Sequence, residues 1–302
     1  MTTGNKILEP ERPARHRRLS RWWIVGLCVF VVLAALLAYM FVEPFWIEVK
    51  PYEFSSSQVP IEFDGTKIVL LTDIHRGWFF SQERVHDLVQ RVNAMHPDLV
   101  VLAGDYVYVN PAYESSCFTE LAALQAPLGV FAVLGNHDYS EYSSGGDIGD
   151  PSAAIRAIEA TGITLLDNRG AWVTHNDARI RIGGVGDYRM DSPDLTKTVD
   201  GTTAADFVIL LSHNPDYAEA LPANAVDLVL SGHTHGGQGT FFGLWAPYLP
   251  SDYGQKYRTG MVHNGNTTVI VSNGIGTIFP PMRFFARPQI VQITLRHAGS
   301  SQ

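Results

Sequence analysis

Cysteine is nearly missing from this chain: its 302 residues include two, Cys28 and Cys117. One of them lies in an apolar N-terminal run, so the pair makes neither a disulfide framework nor a cysteine-based zinc site. Any metal must therefore be held by nitrogen and oxygen. Charged residues are also few, at 17%, and basic ones are concentrated at the start. Lys6, Arg12, Arg15, Arg17, Arg18 and Arg21 against two acidic residues give the first 21 positions +4, which leaves −12 for the rest of a chain whose net charge is −8. A domain this acidic lacks the basic surface that captures a phosphate backbone, and no nucleic-acid partner is expected. Surplus carboxylates suit a site that holds cations. There is no internal repeat, and no Gly-x-Ser-x-Gly elbow points to a serine nucleophile.

What is present begins with a run, Trp22 to Val42, that contains no charged residue. About 20 apolar residues in a helix span about 30 Å, the thickness of a bilayer core. Trp22, Trp23, Phe45 and Trp46 flank it as aromatic residues do at membrane interfaces. A cleaved signal peptide would have a shorter apolar region and a small-residue cleavage site; an uncleaved anchor over 22–42 is the better reading. The basic residues before it predict a cytoplasmic tail over 1–21 and a catalytic domain outside the cytoplasm, periplasmic in a Gram-negative cell. Residues 43–60, with Pro51 and Pro60, read as a stalk leading into a first short strand, and 61–302 as one catalytic domain.

Along that domain apolar runs alternate with helical patterns. Lys67 to Asp73, Asp98 to Asp105, Gly129 to Gly135, Phe207 to Ser212 and Val226 to Leu230 read as buried strands. Ser81 resembles an N-cap before Val85, Leu88, Val89 and Val92 at helical spacing. Pro151 to Thr161 reads as a helix, and Asp216 to Leu221 as a short helical piece. Ala171 to His175 and Ala178 to Asp187 read as strands about a turn, and Thr267 to Ser272 and Gln289 to Arg296 as the final strands. The pattern is that of an α/β protein with mixed sheets.

The chemistry-bearing residues gather at the carboxyl ends of these strands, where ligand sites of α/β folds lie. Asp73 and His75 end one strand, Gly104-Asp105 the next, and Gly135-Asn136-His137-Asp138 a third; Ser212-His213 and then Gly232-His233-Thr234-His235 end two more. Side chains at i and i+2 of a continuing strand face the same way, so His233 and His235 are expected to share one small volume. Imidazole is the commonest metal ligand among side chains.

Asp-x-His, Gly-Asp, Gly-Asn-His-Asp, a lone His and Gly-His-Thr-His, in that order over Lys67 to Arg296, resemble the calcineurin-like metallophosphoesterase family. Gly232-His233-Thr234-His235-Gly236-Gly237-Gln238 and Gly274-Ile275-Gly276-Thr277 are similar to a membrane-associated branch of it. The resemblance implies an αββα sandwich of two mixed sheets flanked by helices. It implies two divalent cations, one held by Asp73, His75, Asp105 and His235, the other by Asp105, Asn136, His213 and His233, with Asp105 bridging. Mixed imidazole and oxygen ligands suit Mn, Fe, Zn or Co. His137 is implied to face the scissile phosphate rather than a metal, with Asp138 orienting its ring. The implied activity is hydrolysis of a phosphodiester or pyrophosphate bond by a metal-activated water. A phospholipid or UDP-diacylglucosamine is an expected substrate class beside soluble diesters, phosphoproteins or, without turnover, a bound phospho-ligand.

Other histidines, His16, His86, His96, His175, His263 and His297, are read as structural or exposed, and Arg76 is assigned no role. Tyr106 and Tyr108 after the bridging aspartate are expected to shape the pocket. Two apolar runs near the ligands, 241–250 and 279–285, read either as inward-packed core, the favoured expectation, or as an apolar lip to the site.

Overall fold

The computed structural model describes residues 21–139 and 150–299. The expected basic tail therefore lies, Arg21 apart, outside the described residues. The chain divides into two compact units, Met1–Tyr39 and Met40–Gln302. Helix α1 (Arg21–Val42) buries none of its side chains. Among the described residues it is the one helix long and apolar enough to cross a membrane, by length and composition.

The second unit runs β1 (Glu48–Ser56), β2 (Lys67–Leu71), α2 (Gln82–Asn93), β3 (Leu99–Ala103), α3 (Glu114–Leu121), β4 (Val130–Val133), α4 (Ser152–Glu159), β5 (Thr164–Leu165), β6 (Arg169–His175) and β7 (Ala178–Gly184). It continues α5 (Leu195–Thr198), β8 (Val208–Leu211), β9 (Leu228–Ser231), β10 (Gly260–Asn264), β11 (Thr267–Val271) and β12 (Gln289–His297). The first sheet has the order β1-β12-β2-β3-β4-β5 and the second β10-β11-β9-β8-β7-β6. Both are mixed. In the first, β12 runs antiparallel to β2 beside the parallel β2-β3-β4-β5. In the second, β10 and β6 are the antiparallel edges of a parallel centre.

The two-residue period of buried strands sorts their side chains into layers. From β2, Ile68 and Leu70 join Val101, Ile182, Ile209 and Leu230 between the sheets, while Val69 and Leu71 face outward onto Val85, Leu88 and Phe118 of α2 and α3. Fully burying such a side chain contributes about 1.5–3 kcal/mol. On the outer face of the second sheet, Leu210, Val229 and Val269 pack with Tyr217 of a 3-10 turn and with Tyr257. This is the expected sandwich, and α2 starts as expected on Ser81, whose hydroxyl accepts from Arg84 N–H.

Two features differ from the expectations. The segment expected as a stalk plus a first short strand is mostly strand: β1 adds to the first sheet as its edge, paired in parallel with β12 from Glu48↔Gln289 to Ser56↔His297. Pro51 misled because a proline on an edge strand removes no needed ladder donor. The second is α3, for which no element was expected. Its run of Ser115, Ser116 and Thr119 carries little helical periodicity, and packing of Cys117, Phe118 and Leu121 onto the first sheet holds it instead.

Candidate metal centre

Every strand that points at the site stops two residues or so before its functional side chain. β2 ends at Leu71 ahead of Asp73 and His75, β3 at Ala103 ahead of Asp105, and β4 ahead of a 3-10 turn, Asn136–Tyr139. From the second sheet, β8 delivers His213 and β9 delivers His233 and His235. The last two do not sit on a continuing strand. β9 stops at Ser231, and φ is 69° at His233 and 51° at His235. Asp73, His75 and Asp105 also have positive φ, at 52°, 48° and 58°. Left-handed backbone at non-glycine residues costs about 1–3 kcal/mol each and persists only where the surroundings over-determine it. Here they do: Asp73 N–H donates to Gly104 O (3.0 Å), His75 N–H to Asp105 O (3.1 Å) and Gly232 N–H to His213 O (3.0 Å). Gly135 is required as well, because a Cβ there would strike the Asp105 carboxylate.

These turns bring the expected ligands together. His75 Nε2 lies 3.1 Å from His235 Nε2 and 3.6 Å from Asp105 Oδ2. His235 Nε2 lies 3.3 Å from Asp73 Oδ1. On the other side of Asp105, His213 Nε2 is 3.2 Å from Asp105 Oδ2 and 3.2 Å from His233 Nδ1. Donors bound at about 2.0–2.2 Å to one cation stand about 3–3.5 Å from each other, so these separations fit the edges of two coordination shells that share Asp105. An orphaned atom fits too: Asn136 Oδ1 is buried without a hydrogen-bond partner among the described residues. Buried polar atoms are rarely left so.

The surrounding shell orients the donors. His213 Nδ1–H donates to Ala103 O (2.7 Å), which presents the Nε2 lone pair to the site. Asp105 Oδ1 accepts from His137 N–H (2.9 Å), and Asp73 Oδ2 accepts from Thr72 Oγ1–H (2.8 Å) and His233 N–H (3.1 Å). Arg283, fully buried, gives its guanidinium to main-chain oxygens of His235 (3.2 Å), Asn273 (2.8 Å), Gly276 and Ala286, tying two loops of the site together.

Burial, reinforced by neighbouring imidazoles, drives His75 down to about 3 and His233 and His235 well below the usual histidine value. They are neutral, as ligands must be. Burial also raises Asp73 to about 6. It opposes the charged form of Asp105 as well, but the imidazoles, His213 foremost, hold that carboxyl well below its ordinary range. His213 is raised in turn despite burial, chiefly by Asp105. Among protein groups alone, the His213–Asp105 pair carries the charge balance of the centre.

His137 is half-buried, its ring 4.8 Å from that of His75 in a T arrangement and 6.0 Å from Tyr108. It lines a cavity of about 310 Å³ together with Asp105, Asn136, Arg189, Gln238 and Tyr248. Asp138 does something other than expected: its carboxylate accepts from three main-chain N–H groups, of Asp105, Tyr106 and Gly135. It holds the Asp105 loop against the 135–138 turn, a role set by burial beneath the site. Tyr106 is not a pocket residue either. It is buried against Phe118, and its hydroxyl donates to Val133 O (2.7 Å). Tyr108 does sit by the site, edge-on to His75. His86 pairs with Glu120 and Arg76 stacks over Tyr113, away from the centre; His16 lies outside the described residues.

Two residues were missed, Asp187 and Arg189, in the loop after β7. Asp187 Oδ1 accepts from Arg189 N–H (3.0 Å) and Met190 N–H (2.9 Å), which turns the Arg189 side chain toward the cavity mouth, where it donates to Pro250 O (2.9 Å). Both lie just past the carboxyl end of β7, where the same strand-end rule applies.

Residues 66–237 match the family described as calcineurin-like phosphoesterase. The chain belongs to that family. The metallophosphoesterase YkuE of Bacillus subtilis (strain 168) is 33% identical over 260 residues, 85% of this chain and 88% of that one. A metallophosphoesterase of Aquifex aeolicus (strain VF5) is 34% identical over 284 residues, 89% of this chain and 99% of its own. A protein of Danio rerio named transmembrane protein with metallophosphoesterase domain is 28% identical over 97% of this chain and 68% of its own. This phosphoesterase is thus a metal-dependent hydrolase, and its buried His/Asp clusters provide for the two cations of the family.

Proposed function

We propose that this phosphoesterase is a membrane-anchored, two-cation hydrolase of phosphodiester or diphosphate bonds whose substrates include lipids. The observation that carries the reading is Asp105, set between His75 and His213 so that one carboxylate faces both halves of the centre. Asp73, His75, Asp105 and His235 would hold one cation, and Asp105, Asn136, His213 and His233 the other. When bound, such a pair draws charge off the phosphoryl group and lowers the pKa of an attacking water.

The chain's own groups do the rest. His137, anchored through its N–H to Asp105, faces the cavity where it can deliver a proton to the departing oxygen. Arg189, across the same cavity, supplies a fixed positive charge for a second anionic group, as a diester or diphosphate bears. Arg283 and Asp138 keep the loops in register. The apolar runs flanking the cavity favour an amphiphile, a phospholipid or a nucleotide-linked acylated sugar such as UDP-diacylglucosamine. The basic N-terminal residues favour a catalytic unit outside the cytoplasm, periplasmic in a Gram-negative cell.

The direct test uses the full chain in detergent, stripped with chelator and then given Mn, Fe, Zn or Co. Turnover of bis-p-nitrophenyl phosphate should return with at least one of them. Failure with all four, on this and on a panel of phospholipids, would leave a phospho-ligand receptor as the better account.

A further inference from the structure

The strongest unexplained feature is a band of exposed aromatic and aliphatic side chains on the loops that follow His75, Gln238 and Ile278; of these, Trp78 and Phe279 line a small hollow with His75 and Tyr108. Leu244 is 79% exposed, Phe279 71%, Trp78 65% and Phe241 63%. The favoured expectation of inward packing is therefore wrong for these loops. Their main chain is nonetheless firmly held: Thr240 N–H donates to Phe284 O (2.9 Å), Phe284 N–H to Gln238 O (2.9 Å) and Phe241 N–H to Trp245 O (2.7 Å). Such order with such exposure is costly in water unless something covers the band.

What covers it follows from where the chain leaves α1. The Glu43 carboxylate, the first charge after the apolar run, is buried and accepts from Phe285 N–H (2.7 Å) and Ala286 N–H (2.8 Å). Arg283 N–H donates to Met40 O (2.9 Å). Phe285 in turn packs on Phe242, centroids 5.1 Å apart. Residues 40–43 are thus tied to the very loop that carries the aromatic band. Cations stand beside the same junction: Arg84 lies 4.6 Å from the Phe45 ring centroid and Arg287 5.4 Å from that of Trp46. Apolar side chains at the end of a membrane span, edged by arginine, match the hydrocarbon boundary and the anionic headgroups above it.

We infer that the face bearing Trp78, Phe241, Leu244, Trp245 and Phe279 is a bilayer-seating surface that holds the cavity mouth at headgroup depth. The inference rests on the membrane anchoring proposed above, and it deepens it: the occupant of the band is a lipid surface, and the substrate enters from the plane of the membrane rather than from bulk water.

The test reads immersion directly. The full chain, with Cys28→Ser and the buried Cys117 left in place, carries a spin label at Leu244→Cys or, as comparator, at Ile61→Cys. Ile61 is exposed near the amino end of β2, away from the strand ends that build the site. Both proteins are reconstituted into nanodiscs of phosphatidylcholine and phosphatidylglycerol. At position 244, collisions with oxygen should exceed those with a water-soluble nickel chelate several-fold, and at 61 the ratio should reverse. Equal, water-like accessibility at both positions overturns the inference. Protection of 244 from both reagents overturns it too, because that pattern means a protein partner.

Two readings of the same samples keep the causes apart. Failure of the protein to co-purify with the discs refutes the anchor itself. Turnover of bis-p-nitrophenyl phosphate in the discs reports the catalytic reading whatever the label shows.

Discussion

The two sheets contribute unlike halves to one centre. The loops of the first sheet bring Asp73, Asp105 and Asn136 with one imidazole of the expected ligand set, His75. Those of the second bring three imidazoles, His213, His233 and His235. Negative charge therefore comes from one side and imidazole nitrogen mostly from the other. Carboxylates would hold a cation by charge, and their burial is eased by the imidazoles beside them. Imidazoles would add directional ligands without further negative charge. The lesson is that charge and geometry are supplied separately, so losses on the two sides should differ in kind.

The largest effect should come from Asp105→Asn, which removes the one carboxylate placed between both halves. Changes outside the ligand shell already cost about 10–100-fold in metal affinity, so this variant should lose more than that at both cations. Metal content per chain should fall toward zero and turnover with it. Full metal content in this variant would show that the halves bind independently, without a shared charge.

A smaller loss, of a different kind, is expected for His137→Ala. A proton donor contributes about 100- to 10,000-fold, and the rate on a diester should fall within that range while metal content stays at the parent value. His137 lies within reach of the His75 and Asp105 donor atoms, so the metal measurement is the decisive one. Depletion equal to that of Asp105→Asn would make it a ligand.

The smallest effect sharpens the point about buried carboxylates. Glu114 of α3 is also buried, yet only Arg156 offsets its desolvation, and its pKa rises to about 7. An acid raised on folding binds more protons in the folded state. Its contribution is full below the ordinary value of 4.5 and is lost as pH climbs through about 7. Glu114→Gln should thus change the melting temperature little at pH 5 and raise it by about 1–3 °C at pH 8. An identical shift at both pH values would mean that the carboxyl does not titrate in this range.

The sequence alone determined a good deal. The apolar N-terminal helix, the order of the strands and the Asp, Asn and His residues at their carboxyl ends all follow from local pattern, while the division of seven of them into two expected ligand sets came from the family resemblance. Such signals are short-range, and the strand-end rule needs no knowledge of which strand lies beside which. Only the tertiary structure decided the rest, because each remaining feature depends on residues far apart in the chain. Pro51 looked like part of a stalk until β12, some 240 positions later, supplied its partner strand. Asp138 looked like a partner for His137 until the 135–138 turn folded beneath Asp105 and gave its carboxylate three amides. The aromatic runs had the composition of core, and composition carries no direction. The main chain of the 278–286 loop is pinned by Gln238 and by Glu43 from the other end of the sequence.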